Sequence, residues 1–251
     1  MKFQTLMEML SSVSLLFPVA AIVFLRLGSY KTFPALLLYY AQLFLYSMLS
    51  NGLFDLPVGT IYLWGLCNNL LDVPLMLTFL LYLSPSRLFT VRILWTILSF
   101  VLFEVGVVTV MGMNRGAVTV IMAPGMILMV GLYFYFFIRQ TRITVVQQRG
   151  AGRSIMAASL LFAYICYSVL YLLFYVVKTP YIADTLLLYY LTTFLSSVVL
   201  TAGIWKERIR IRLLHELRIT RKELSAFYGE DAKVFSFRTT ALPDLDGSAW
   251  N

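Results

Sequence analysis

The chain has 251 residues, of which 60% are hydrophobic and only 13% are charged, and its formal net charge is +8. Soluble domains carry about 25% charged residues, so a soluble core could not bury this much apolar surface. The long uncharged segments instead indicate a membrane protein, because about 20 apolar residues cross the hydrocarbon as a helix that satisfies its own backbone hydrogen bonds. The basic residues lie in short connections and the tail, so we read them as topology signals and predict no nucleic-acid partner.

Seven apolar segments follow one another, and we predict an all-α, seven-helix transmembrane bundle over residues 1–206. The expected bounds of these first to seventh spans are Leu6–Leu27, Phe33–Leu53, Val58–Leu83, Leu88–Met113, Ala117–Ile138, Ile155–Val177 and Tyr181–Trp205. The first segment contains Glu8 and has no clear small-residue cleavage site after it, so we expect it to remain as an anchor. Pro18, Pro74 and Pro124 lie within spans and predict kinks or carbonyls without their usual donors.

Basic residues favour one side of the bundle. The odd-numbered connections hold Arg26 and Lys31, Arg87 and Arg92, and Arg139, Arg142, Arg149 and Arg153. The second connection has no Lys or Arg, and the fourth and sixth have one each, Arg115 and Lys178. The positive-inside rule therefore predicts an amino terminus outside and a cytoplasmic carboxy terminus, in a plasma or bacterial inner membrane.

The segment after the seventh span is basic, and we predict an amphipathic juxtamembrane helix over 207–228. Its apolar residues recur at nearly helical spacing: Ile209, Leu213, Leu217, Leu224 and Phe227. Such a helix can lie on anionic lipid headgroups or dock on a cytoplasmic protein, and the sequence leaves both alternatives open. Residues 229–251 are polar and acidic, which is typical of a flexible tail.

Two carboxylates are expected away from the span ends, where ionisable groups are costly and usually mark a function or a specific pair. Asp72 lies near the middle of the third span, one turn after Asn68 and close to Asn69. Glu104 lies in the outward half of the fourth span. Asp72 is the strongest site candidate, although a hydrogen-bonded aspartic acid that only fixes helix packing is an equal alternative.

Tyrosines form a stripe on the sixth span, because Tyr164, Tyr167, Tyr171 and Tyr175 recur at intervals of three and four. Tyr189 and Tyr190 of the seventh span extend the set. Such a stripe either lines a polar pocket or packs between helices through its rings and hydroxyls.

Enzyme chemistry is not predicted. His215, the only histidine, lies in the tail, and Cys67 and Cys166 fall inside apolar segments, so we expect no metal site. The sequence also lacks a GxSxG motif, a phosphate-binding glycine loop and a Ser/His/Asp set that could meet inside the membrane.

Parts of several spans resemble microbial (type 1) rhodopsins. Residues 68–77 are similar to the family's stretch from the counter-ion acid to a Pro-Leu-Leu-Leu run, and 183–187 resemble the acidic-Thr-Leu-Leu opening of its last helix. Tyr164, Tyr167 and Ser168 are similar to the aromatic wall beside the retinal ring, and 115–137 resemble the fifth helix in hydropathy.

The residues essential for rhodopsin photochemistry are missing. By this resemblance the retinal-bearing lysine falls on Ser196, the second counter-ion on Thr192 and the primary counter-ion on Asn68. No lysine occurs between Lys31 and Lys178, so a Schiff base with retinal is excluded. The resemblance then implies a helical scaffold that has no covalent cofactor and whose pocket holds a non-covalent lipid, retinoid or carotenoid.

We therefore predict a non-enzymatic sensor, receptor-like or scaffolding protein with a pocket for a small apolar ligand. The candidate ligand-binding residues are Asn68, Asn69, Asp72, Tyr164, Tyr167, Tyr171, Thr192 and Ser196. The alternative is a proton-coupled transporter of small solutes that uses Asp72 and Glu104 as its proton or ion sites. Expected partners are membrane lipid and a cytoplasmic protein at 207–228, and a homo-oligomer is a further alternative, since faces toward lipid and toward a sister subunit are alike.

Overall fold

The computed structural model describes residues 2–51, 57–83, 87–147, 150–177 and 180–228. Within these ranges seven helical segments are long and apolar enough to cross a membrane, and no β-strand occurs. The prediction of an all-α architecture with seven such helices is confirmed. The polar tail, together with Arg149 and Lys178 from the charge comparison, lies outside the described residues.

The first span consists of two helices, Lys2–Ser14 and Leu16–Phe24, followed by a 3₁₀ turn over Leu27–Ser29. The second to fifth spans are the helices Phe33–Ser50, Val58–Leu83, Arg87–Met111 and Arg115–Gln147. The sixth span is Ala151–Tyr171 with a π-helical extension, Leu172–Val177, and the seventh is Ile182–Tyr228.

Prolines affect the spans differently. The first span is interrupted at Leu15, where Pro18 supplies no N–H for the Ser14 carbonyl four residues earlier. Pro74 and Pro124 lie inside continuous helices. Beside Pro74, the Thr78 hydroxyl donates a hydrogen bond to the Pro74 carbonyl at 2.7 Å.

The fifth helix is longer than predicted, because it continues past Ile138 to Gln147. The prediction ended it at the first arginine, but the polar residues that follow are held against the sixth span. The Gln140 amide donates to the Gly150 carbonyl at 3.4 Å, and the Thr141 and Ser154 hydroxyls lie 3.0 Å apart. The fifth helix therefore continues beyond its apolar stretch.

The seventh helix has 47 residues and runs without a break into the segment predicted as a juxtamembrane helix. At 1.5 Å per residue it is roughly 70 Å long, whereas the hydrocarbon core of a bilayer is about 30 Å thick. Its largest interface is with the sixth span, and both helices of the first span also pack against it. The fourth span is the least buried and packs on the third and fifth.

The two ends of the bundle are packed differently. Fully buried apolar side chains concentrate at the end where the odd-numbered spans finish and the even-numbered spans begin. This packed half contains Leu27, Phe33, Leu36, Leu80, Leu83, Ile93, Phe136, Met156 and Ile204. The opposite half, the hollow half, includes residues 8–15, 43–51 and 167–175. It surrounds open space between the helices.

Candidate ligand-binding cavity

A cavity of about 460 Å³ occupies the hollow half of the bundle. All spans except the fourth contribute to its lining. Its polar lining residues are Glu8, Ser11, Ser12, Tyr39, Tyr46, Ser47, Ser50, Asn51, Asn68, Asn69, Asp72, Tyr164, Tyr167, Tyr171, Tyr175, Tyr189, Tyr190 and Thr193. The volume falls within the range of small-molecule pockets, about 300–1,000 Å³.

Asp72 lies at the inner limit of this cavity. The next third-span residues toward the packed half that face the core, Val73 and Met76, are buried. The Tyr164 hydroxyl donates a hydrogen bond to Asp72 Oδ1 at 2.8 Å, and the Tyr164 ring stacks on Tyr133 with centroids 5.8 Å apart. The carboxylate is therefore held by the sixth span, while part of its surface stays accessible from the cavity.

The tyrosine stripe forms one wall. Ring centroids are separated by 6.5 Å between Tyr164 and Tyr167, 5.7 Å between Tyr167 and Tyr189, and 5.7 Å between Tyr189 and Tyr190. The hydroxyls of Tyr167 and Thr193 lie 3.0 Å apart. The stripe thus both packs between the sixth and seventh spans and lines the cavity, so the two alternatives drawn from the sequence coexist.

The carboxy-terminal part of the sixth span is fixed by a further tyrosine. The Tyr171 hydroxyl donates to the Thr119 carbonyl of the fifth span at 3.0 Å. Its ring lies 5.0 Å from that of Tyr175, which belongs to the π-helical extension. Single π-helical turns occur frequently at functional sites, and this one directs Phe174 and Tyr175 to the cavity lining.

The first and second spans contribute lining residues that were not predicted from the sequence. The hydroxyls of Ser12 and Ser47 lie 2.6 Å apart, and the Asn51 amide donates to Ser12 Oγ at 3.2 Å. Glu8 lines the cavity on the same side. Serines are common on apolar helices, so only the presence of Glu8 near a span's start could have drawn attention to this side.

Six of the predicted site residues come together at the cavity, namely Asn68, Asn69, Asp72, Tyr164, Tyr167 and Tyr171. The remaining three, Thr192, Ser196 and Glu104, do not line it. Thr192 is buried, and Ser196 borders a separate void of about 10 Å³. Glu104 is also buried, and its Oε1 has no hydrogen-bond partner among the described residues.

On the seventh span the cavity is lined by Thr193 rather than by the predicted Thr192, which lies one position earlier. Ser196 instead belongs to the interface between the sixth and seventh spans. Its carbonyl accepts a hydrogen bond from the Ser159 hydroxyl at 2.6 Å, and its own hydroxyl donates to the Thr193 carbonyl at 3.1 Å.

A second cleft, of about 540 Å³, adjoins the cavity between the third and fifth spans. The two spaces share four lining residues: Tyr46, Asn69, Met122 and Tyr175. The Arg115 guanidinium lines this cleft and lies 5.3 Å from the centroid of the Tyr62 ring. The basic group is therefore beside the cavity rather than in it.

Comparisons with protein-family models, curated proteins and solved structures found no match to this chain. The polar groups of the cavity are hydroxyls, amides and two carboxylates, which are suited to binding and orienting a ligand. Among the described residues, no three His, Cys, Asp or Glu side chains are grouped so that they could hold a metal ion.

Proposed function

We propose that this chain is an integral membrane protein that binds a small amphipathic molecule in the cavity and acts as a non-enzymatic sensor or receptor-like protein. The observation that carries the proposal is the contrast between the two halves of the bundle. One half is filled by apolar side chains, whereas the other holds a cavity of about 460 Å³ to which five spans contribute polar side chains. Polar groups facing a space inside a membrane bundle are costly unless they serve a ligand, water or one another.

The orientation drawn from the basic residues belongs to the same proposal. With the amino terminus outside, the hollow half lies toward the exterior, and the helix that continues to Tyr228 enters the cytoplasm. The seventh span lines the cavity through Leu186, Tyr189, Tyr190 and Thr193. Ligand contacts at these residues would act on the same unbroken helix that carries the basic segment 207–228.

The rhodopsin-like arrangement stays a prediction from the sequence. The resemblance suggests which ligands to test, because lipids, retinoids and carotenoids are the apolar molecules that such a scaffold would hold without a covalent bond. For the basic segment 207–228, both predicted partners, anionic lipid and a cytoplasmic protein, remain predictions.

The proposal is tested by thermal unfolding of the protein purified in a maltoside detergent, with a panel of lipids, retinoids, carotenoids and amphipathic small molecules. We expect at least one class to raise the melting temperature in a saturable manner. The shift should disappear in Ser47→Trp, which fills the cavity, and persist in Leu98→Trp on the exposed surface of the fourth span. Absence of any saturable shift, or an equal shift in Ser47→Trp, would contradict the proposal.

The transporter hypothesis remains a second candidate because Asp72 and Glu104 are both carboxylates within spans. Glu104 does not line the cavity, but it is buried within electrostatic range of Asp72. Uptake of a bound compound into proteoliposomes, driven by a pH gradient and abolished in both Asp72→Asn and Glu104→Gln, would favour transport over sensing.

A further inference from the structure

We infer that the ligand carries an ammonium group, either a protonated amine or a quaternary ammonium, which binds beside Asp72 with its apolar part along the tyrosine wall. This inference rests on the proposed function and narrows it from a small amphipathic molecule to an organic cation. Three features of the cavity support it: the charge of its lining, the acceptor capacity of Asp72 and the aromatic surface between the two carboxylates.

The charge of the cavity lining has one sign. Glu8 and Asp72 line it, and no lysine or arginine does so among the residues that the structure describes. A basic group, Arg115, lines the adjoining cleft, where it lies over the Tyr62 ring. A carboxylate within a low-dielectric bundle attracts a cation strongly, and an anionic ligand would be repelled.

Asp72 has acceptor capacity left for a ligand. Its Oδ1 accepts a hydrogen bond from Tyr164, and the Tyr39 side chain is a second hydrogen-bonding neighbour of the carboxylate. An ionised carboxylate has about four acceptor positions, and the side chain remains partly accessible where it lines the cavity. Tyr164 therefore fixes the orientation of the carboxylate without occupying all of its acceptor positions. The remaining positions can accept hydrogen bonds from a ligand in the cavity.

Aromatic rings connect the two carboxylates. Tyr164, beside Asp72, is followed by Tyr167, Tyr189 and Tyr190, and successive centroids are no more than 6.5 Å apart. The hydroxyl of Tyr167 is engaged by Thr193, which holds its ring in place. Ring faces attract organic cations, most strongly where water is excluded, so this wall accommodates both the charge and the hydrocarbon of such a ligand.

The alternative of a purely apolar ligand fits the lining less well. Ser12, Ser47, Asn51 and Asn69 face the same space. They make hydrogen bonds with one another and with the Gly65 carbonyl, and an apolar molecule could not use the donor and acceptor positions that they have left. An amphipathic cation places its charge at the carboxylates and leaves room for water elsewhere in the cavity.

The test uses a matched pair of probes that differ only in charge, benzyltrimethylammonium and its neutral carbon analogue neopentylbenzene, with 3-phenylpropionate as the anionic member. Binding to the full chain in maltoside detergent is measured by calorimetry and by thermal unfolding. We expect saturable binding of the cation, at least tenfold tighter than the neutral analogue, and no binding of the anion. Asp72→Asn should weaken binding of the cation at least tenfold and leave the affinity for the neutral analogue unchanged. Asp184→Asn, at an exposed site outside the cavity, should change neither affinity.

The outcomes separate the inference from the proposed function. Equal or tighter binding of neopentylbenzene, blocked by Ser47→Trp, would overturn the inference and leave the binding cavity standing. Binding of none of the three probes would also overturn the inference, and the wider ligand panel would then decide the proposed function. If Asp72→Asn does not fold, the comparison of the cation with its neutral analogue on the wild-type chain still decides between a charged and an apolar ligand.

Two kinds of ligand carry such an ammonium group: a free amine and a lipid with an ammonium-containing headgroup. Competition distinguishes them, because dodecylphosphocholine should displace benzyltrimethylammonium if the cavity admits a choline headgroup bearing a phosphate and a chain. Displacement by phenethylamine without displacement by the phosphocholine would assign the site to free amines.

Discussion

Gly152 of the sixth span lies against the backbone of Glu207 in the seventh, so that a Cβ on Gly152 would be 2.6 Å from the Glu207 amide nitrogen. Gly203 makes a similar approach one turn away, where a Cβ would be 3.0 Å from the Met156 amide nitrogen. Small residues let helices approach closely within a membrane. The helix that lines the cavity and continues into the basic segment is thus fixed to its neighbour near the end of the packed half.

Replacing Gly152 by alanine should destabilise the protein. The new methyl group would meet backbone, which cannot move aside as a flexible side chain can, so we expect a loss of about 1–3 kcal/mol in the free energy of unfolding. Gly131→Ala is the matched control, because a Cβ there meets nothing within 4 Å. Chemical unfolding in detergent measures the free energy of unfolding of both variants. Equal stability of the two would show that the backbones at Gly152 and Glu207 do not approach so closely.

Removing the charge of Glu207 should destabilise the same crossing. Its Oε1 accepts hydrogen bonds from Arg153 Nε and Arg210 Nε, each at 3.0 Å, and only 4% of its side chain is exposed. Glu207→Gln leaves two guanidinium groups facing a neutral amide, and breaking a buried ion pair costs about 3 kcal/mol or more.

The control for Glu207 is Glu216→Gln, an exposed position on the same helix. We expect its melting temperature to match that of the wild type. Because Arg153 joins the start of the sixth span to this carboxylate, a double-mutant cycle of Arg153→Gln with Glu207→Gln should show strong non-additivity. Additive losses would mean that the two side chains do not interact.

Tyr164→Phe should lower stability through the loss of one hydrogen bond to a carboxylate, worth about 1.5–3 kcal/mol. The control is Tyr135→Phe, since Tyr135 is 53% exposed and its ring stacks on Phe89. Combining Tyr164→Phe with Asp72→Asn should cost less than the sum of the single changes, as measured by thermal unfolding in detergent. A cost equal to that sum would indicate that the 2.8 Å contact does not contribute.

Labelling of single cysteines should define the orientation. In a background with Cys67 and Cys166 replaced by alanine, we expect Met113→Cys, between the fourth and fifth spans, to react with a membrane-impermeant maleimide on intact cells. Thr220→Cys, on the basic segment, should react only after permeabilisation. The reverse labelling pattern would show that the bundle has the opposite orientation. Labelling of both cysteines on intact cells would mean that the chain crosses the membrane an even number of times between residues 113 and 220.

Much of the architecture follows from sequence because a long apolar segment has few alternatives to a helix. A run of about 20 apolar residues must form a helix, since no water is available to satisfy an open backbone, and the third span was accordingly predicted with its observed bounds, Val58–Leu83. Helical spacing also placed Tyr164, Tyr167 and Tyr171 on one face, which is the face that lines the cavity.

Periodicity within one helix could not predict how each helix is rotated against its neighbours. Thr192 and Thr193 are adjacent on the seventh span, and only the second lines the cavity. Likewise, Ser12 and Ser47 lie 2.6 Å apart although 35 positions separate them in the chain. Their meeting depends on where the first and second spans pack.

The amino-acid sequence by itself determined the number of long apolar helices, because hydrogen bonding in an apolar layer leaves the backbone no other choice. It also marked Asp72 as exceptional, through the cost of a carboxylate among apolar residues. The tertiary structure alone decided that one half of the bundle is filled and the other hollow, and which side chains surround Asp72. Those properties depend on how the helices pack on one another, which includes the close approach of Gly152 and Gly203 to neighbouring backbone and the interruption of the first span at Leu15.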